Sequence, residues 1–197
     1  MDRMELINAL IERGRYTRYL EIGCQVDISF NAIRAEVKVG VDPVSGGTVR
    51  MRSDDYFRST DAMFDLIFID GDHHHDQVAR DIDNALMHLE PNGTIVMHDC
   101  LPPDPTYETV HFCGTAWRAF LSRTRTRPDL ESFCGDFDFG VGIVRRLPNS
   151  QIIHLTQSMD QLTYEDLERN RATWMRPMSA DSVRAVIASP SWAPAPA

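Results

Sequence analysis

The sequence predicts an α/β fold: a mostly parallel sheet with helices on both faces, closed at one edge by an antiparallel hairpin. Three observations predict it. Short apolar runs alternate with stretches of helical periodicity along most of the chain, the pattern of strand–helix–strand crossovers. The segment FDLIFI, Phe64–Ile69, is apolar almost throughout, as a strand buried on both faces must be. The last two strand candidates, residues 130–135 and 139–147, have no helical stretch between them and can pair only as a hairpin.

Taken in order, residues 4–11 carry apolar side chains at helical spacing, and RYLEIG reads as a strand closing in a turn. A short helix over 29–35 and a second strand over 37–42 follow, and RMRSD is expected to form a short third strand. After FDLIFI, residues 76–89 place Val78, Ile82, Leu86 and Leu89 three to four apart, which marks an amphipathic helix. Pro91-Asn92-Gly93 is expected to break that helix, and TIVMHD is the next strand. A Pro- and Gly-containing loop leads to a helix over 116–122, then come the two hairpin strands and helices over 164–174 and 180–187. This is one domain, residues 1–187, followed by a Pro/Ala-rich tail at 188–197 that is expected to be disordered.

The composition, 43% apolar and 25% charged, is that of a soluble globular domain. A net charge of −9 without a Lys/Arg stripe disfavours nucleic acid and anionic membrane surfaces as partners. No apolar run is long enough to span a bilayer, and the charged N-terminal segment has no signal-peptide core. Four scattered cysteines without a CxxC pair read as reduced thiols. These features together predict a cytoplasmic protein.

In open α/β sheets, ligands bind beyond the carboxyl ends of the strands. Here four successive strand ends carry chemistry: Glu21-Ile-Gly23, Asp42, Asp70-Gly-Asp-His73 and His98-Asp99. Gly23 allows close backbone approach in the turn after the first strand. Asp42, about 20 residues on, is placed to bind ribose hydroxyls. EIGCQVDIS has one glycine where a dinucleotide fold wants three, which counts against a pyrophosphate ligand such as NAD. The runs YLEIGCQVDIS, VGVDP, FDLIFIDGDHHHDQVARDI and GTIVMHDC resemble class I S-adenosylmethionine-dependent methyltransferases, with their Rossmann-like fold. More narrowly, IDGDH followed by a helix and a strand ending in HD is similar to the metal-dependent sugar and antibiotic O-methyltransferases. The resemblance covers about residues 20–100. It implies that Glu21 and Gly23 lie along the methionine part of the cofactor, that Asp42 binds its ribose, and that Ser53 and Asp54 sit near its adenine; Asp70 also faces the cofactor. Asp27 stands where relatives usually keep a second glycine.

The other strand ends suggest a metal. Asp70 can converge with His98 and Asp99 because neighbouring strands lie about 4.8 Å apart. Two carboxylates suit Mg²⁺, while the imidazole makes Mn²⁺ a competitor. A metal on an acceptor hydroxyl lowers its pKa, and a neighbouring base takes the proton. His73 matches the histidine of the family's DGxH motif and is the expected base, with His74 and His75 as competitors. Cys100 and Trp117 are expected in the core, and Tyr107, His111 and Phe112 in a substrate lid. The expected reaction is metal-assisted methylation of a sugar or glycoside hydroxyl, with a small-molecule acceptor and a chain that can form homo-oligomers. A catechol-type acceptor, a metal-dependent hydrolase and a non-catalytic cofactor-binding module are the competing readings.

Overall fold

The fold was analysed in a computed structural model that describes residues 1–149 and 151–192. Helix α1 (Arg3–Gly14) starts where the Asp2 carboxylate accepts the Glu5 amide and stops at Arg15 in the left-handed conformation. It leads into β1 (Arg18–Ile22), the short helix α2 (Ile28–Ala32) and β2 (Val37–Val41). Next come α3 (Ser53–Ser59), β3 (Phe64–Ile69), α4 (His75–Met87) and β4 (Leu89–Met97). Helix α5 (Ala116–Phe120) runs on into a π-helical turn, Leu121–Arg125. The hairpin β5 (Glu131–Gly135) and β6 (Val141–Arg145) precedes α6 (Tyr164–Met175), the two-residue strand β7 (Pro177–Met178) and α7 (Ala180–Ala188).

The seven strands form one sheet in the order β2-β1-β3-β4-β6-β5-β7. β2, β1, β3 and β4 are parallel, and β6 runs antiparallel to both β4 and β5. This is the Rossmann-like methyltransferase arrangement with its antiparallel edge, as the sequence predicted. Strand periodicity sorts the buried residues into two layers. Leu20, Ile22, Ile67, Ile69, Ile95 and Met97 pack on the side of α4 and α5. Tyr19, Leu66, Phe68 and Val96 pack against α1 and α7.

The structure corrects several expectations. RMRSD is not a strand. Val49 makes a single parallel bridge to Val41, and from Ser53 the chain is helical with Asp54 and Asp55 in the first turn, where carboxylates favour a helix start. Pro91-Asn92-Gly93 does not end α4. The helix is already capped at His88, and the three residues lie inside β4, where the pairing shifts register between Phe64 and Leu66; the turn residues make a bulge. The expected tail from 188 is also shortened. Pro190–Trp192 forms a 3-10 turn, Trp192 is buried, and its ring lies 4.2 Å from the Arg145 guanidinium. Residues 193–197 lie outside the described residues. β7 was not foreseen, because two residues carry no periodicity.

Candidate active site

The register explains why the chemistry gathers at one edge. Ile22 pairs with Val41 and Ile69, and Ile69 pairs with Met97. The next residues, Gly23, Asp42, Asp70 and His98, therefore leave the sheet side by side. Two cavities open there. The larger, about 680 Å³, is lined by Ile22, Asp42, Ser53, Gln77 and Asp81 among others. The smaller, about 270 Å³, is lined by Glu21, His73, His98, Asp99 and Tyr107 among others. Gly23, Gln25, Val26 and Asp70 belong to both. At the junction Gly23 has φ +89°, and a Cβ there would stand 2.2 Å from the Asp70 carbonyl oxygen; only glycine leaves this passage open.

In the loop after β1, Asp27 takes φ 63° itself, and its Oδ1 accepts the Gly47 amide at 2.6 Å. Asp42 is buried and fully engaged: Oδ2 accepts the Cys24 and Gln25 amides, and Oδ1 those of Val44 and Ser45, all at 2.7–3.0 Å. Burial would raise its pKa, but these four amides hold it below the ordinary value. Asp42 thus stitches the β1 and β2 loops together at the wall of the larger cavity. Glu21 points inward from β1 and accepts the Tyr19 hydroxyl at 2.5 Å. Burial, only partly offset by that hydrogen bond, pushes its carboxyl up to about 7. Of the two residues expected near adenine, Ser53 lines the larger cavity. Asp54 is held by α4, accepting from Gln77 (3.4 Å) and Asn84 (3.5 Å) and pairing with Arg80 (3.5 Å).

The smaller cavity holds a dense charge cluster. His98 Nδ1 lies 3.3 Å from Asp70 Oδ1 and 3.2 Å from Asp99 Oδ2, while its Nε2 lies 3.4 Å from Asp138 Oδ1. Burial works against a charged ring, yet the carboxylates of Asp138, Asp70 and Asp99 outweigh it and push His98 up to about 12. His73 Nε2 sits 3.4 Å from Asp99 Oδ2 and 3.8 Å from Asp70 Oδ1. Its pKa is raised too: burial opposes, but the hydrogen bond to Asp70 and the Asp99 and Asp70 charges prevail. Asp70 is lowered, its burial overcome by His73, His98 and Arg3. Asp99, two residues past the end of β4, has φ 60°, a conformation tolerated by Asp better than by most residues.

A divalent cation fits this donor set. Asp70, His73 and Asp99 each offer one ligand atom, all within 4.8 Å of one another. His98 Nδ1, with Asp138 behind its other nitrogen, has the carboxylate–histidine arrangement that orients a metal-bound imidazole. Of the competing histidines, His75 is buried and committed to Thr115 (2.9 Å) and Asp160 (2.9 Å). His74 is half-exposed and caps α4 through the Asp76 amide.

Two partners escaped sequence reasoning. Asp138 belongs to the β5–β6 turn, and Arg3 reaches in from the first turn of α1 to Asp138 (3.1 Å), Ser29 (3.2 Å) and Asp70 (3.7 Å). Neither has a fixed spacing from the strand ends, so no motif could have flagged them. Cys100 and Trp117 are core residues as expected, with the indole donating to Glu108 at 2.8 Å. Tyr107, His111 and Phe112 do line the smaller cavity. All four cysteines are free and buried, and no described helix is long and apolar enough to cross a membrane.

Residues 10–100 match the family model of a methyltransferase domain. Solved structures share the fold. The Bacillus cereus O-methyltransferase in complex with S-adenosylhomocysteine is 14% identical, with TM-score 0.59, over 73% of this chain and 80% of that one. The O-methyltransferase TomG from Streptomyces achromogenes, involved in tomaymycin synthesis and solved with S-adenosylmethionine, is 17% identical, with TM-score 0.56, over 74% and 79%. The S-adenosylhomocysteine-bound methyltransferase PaMTH1 of Podospora anserina is 19% identical, with TM-score 0.57, over 72% and 76%. No curated protein matches the sequence. The matched domain spans every strand end that forms the two cavities, and these solved methyltransferases share the fold of this chain.

Proposed function

We propose that the enzyme transfers the methyl group to a hydroxyl oxygen of a small sugar or glycoside, assisted by a divalent cation, Mg²⁺ or Mn²⁺. The observation that carries this reading is the meeting of Asp70, Asp99, His98 and His73 in the smaller cavity, directly beside the passage to the larger one. Asp70, Asp99 and the Nδ1 of His98 would hold the cation, which supplies the Lewis acidity that makes a bound alcohol more acidic. His73 Nε2, beside the same two carboxylates, takes the hydroxyl proton as the oxygen attacks the methyl carbon and the carbon–sulfur bond breaks, releasing S-adenosylhomocysteine. Gly23 and Glu21 border the methionine end of the cofactor, and Asp42 shapes the wall along its ribose. A hydrolase reading has no use for the larger cavity.

One observation favours a second acceptor class. The smaller cavity is lined by three rings packed at a tilt, Tyr107 against Phe112 at 4.9 Å and against Phe139 at 5.6 Å. A flat aromatic diol would bury its face there, as would the apolar face of a sugar ring. Transfer of labelled methyl from S-adenosylmethionine to panels of glycosides and catechols, with EDTA and with Mg²⁺ or Mn²⁺ restored, tests the proposal. Turnover is expected to vanish in EDTA and return with the metal. Full turnover in EDTA refutes the metal's part, and transfer confined to catechols refutes the sugar.

A further inference from the structure

The proposed reaction uses only the first residue of the run His73-His74-His75-Asp76. The other three form a second cluster at the amino end of α4, where each offers one ligand atom within 4.8 Å of the others. Asp160, 85 residues beyond His75, brings a fourth: its Oδ1 lies 2.9 Å from His75 Nε2. Asp76 Oδ1 lies 3.8 Å from the same nitrogen, and Asp76 Oδ2 lies 3.9 Å from His74 Nδ1. His75 is the fixed point of the set. It is buried, and Thr115 Oγ1 stands 2.9 Å from its Nδ1 while accepting its backbone amide at 3.0 Å. With Nδ1–H donating to that hydroxyl, Nε2 is left as an acceptor beside Asp76 and Asp160, the outer arrangement that orients a ligating imidazole. His73 turns the other way, to Asp70 and Asp99.

We infer that His74, His75, Asp76 and Asp160 bind a divalent ion of their own, Zn²⁺ in preference to Mg²⁺. Two imidazoles and two carboxylates suit four-coordinate Zn²⁺, whereas Mg²⁺ asks for six oxygens in an octahedron. Ligand atoms around a tetrahedral zinc stand about 3.3 Å apart. His75 and Asp160 are already near that spacing, and the ion takes the place of the proton between them, which leaves to solvent. His74 and Asp76 have to close in. Both side chains are more than half exposed, and the His74 ring turns out of its 4.3 Å stack on His75 to do so. The positive end of α4 opposes a cation here; the two carboxylates neutralise it. The ion thereby ties the 3-10 turn Met159–Gln161 to α4 and to Thr115, whose amide holds the His73 carbonyl.

The test is calorimetric titration of the full chain with Zn²⁺ in excess Mg²⁺, on the wild type, His74→Ala and Asp160→Asn. Both replaced side chains are exposed, at 54% and 80%, so the variants should fold as the wild type does. Each should weaken one equivalent of Zn²⁺ at least about tenfold, since losing even an outer partner costs that much. Co²⁺ in place of Zn²⁺ should give the intense visible spectrum of a four-coordinate site in the wild type and lose it in both variants. Unchanged Zn²⁺ binding in either variant overturns the inference. Loss in His74→Ala alone means adventitious binding by adjacent histidines, and overturns it equally.

Discussion

Glu21 is a buried acid whose charge the fold resists, and replacing it with glutamine exposes the size of that resistance. Its carboxyl is pushed from an ordinary 4.5 to about 7, chiefly by burial. Because the folded chain binds this proton more tightly than the unfolded chain, the contribution to stability is full below about pH 4.5. It is lost as pH rises through about 7. Ionisation then costs about 3 kcal/mol at pH 8. Glu21→Gln has no charge to bury, and its carbonyl oxygen can still accept the Tyr19 hydroxyl that now donates at 2.5 Å. Without cofactor the variant should therefore match the wild type near pH 4 and exceed it by about 3 kcal/mol at pH 8, about 6–12 °C in Tm for a chain of this size. Thermal melts across pH 4–8 measure it directly. Parallel curves for the two proteins over that range would refute the buried-charge reasoning. With the cofactor placed as proposed, its affinity should move the other way, because the Glu21 charge can pair with the ammonium there.

The histidine run should separate by role. His73→Ala is expected to lower turnover by about 10²–10⁴ while leaving S-adenosylhomocysteine affinity intact. His74→Ala, at a half-exposed cap, should keep nearly full activity. His75→Ala should lower Tm instead, through loss of the Thr115 and Asp160 contacts; steady-state kinetics and melts on the three variants check this, and a fully active His73→Ala removes it as the base. Asp42→Ala deprives four backbone amides of their acceptor. It should therefore weaken S-adenosylhomocysteine at least about tenfold and also destabilise the fold, at ~1–3 kcal/mol for each amide that stays buried. Asp42→Asn, with one acceptor oxygen left, should fall between, as read by calorimetry beside thermal melts.

Much of the fold was legible because burial writes it into the sequence. FDLIFI is apolar on both faces because both faces are covered, and the interval between 130–135 and 139–147 is too short for a crossover. The strand ends were legible for a related reason: an acid or histidine just past an apolar run has nowhere to go but the carboxyl edge of the sheet. RMRSD misled because a strand was expected between neighbours that needed none. Its arginines and acids offer no apolar alternation, and the acids favour the helix start that is observed. Pro91-Asn92-Gly93 misled because a bulge and a turn use the same residues. Asp42 follows the second strand as the sequence indicated, but its four amide contacts depend on how two loops fold against each other. Arg3 and Asp138 were missed for the same kind of reason, since each gains its meaning from a neighbour across the fold.

Gly114 and Thr115 bind the loop after β4 to His73, the proposed base. The Thr115 amide donates to the His73 carbonyl at 2.8 Å, and a Cβ on Gly114, at φ +54°, would stand 2.4 Å from that oxygen. The segment carrying Tyr107, His111 and Phe112 is therefore anchored to the residue proposed as the base. Exchanging residues 104–112 for the equivalent loop of another methyltransferase is then a route to new acceptors that leaves the base seated, so long as the graft stops short of Gly114. A graft that runs through it would change what the enzyme accepts and dislodge what activates it in one stroke.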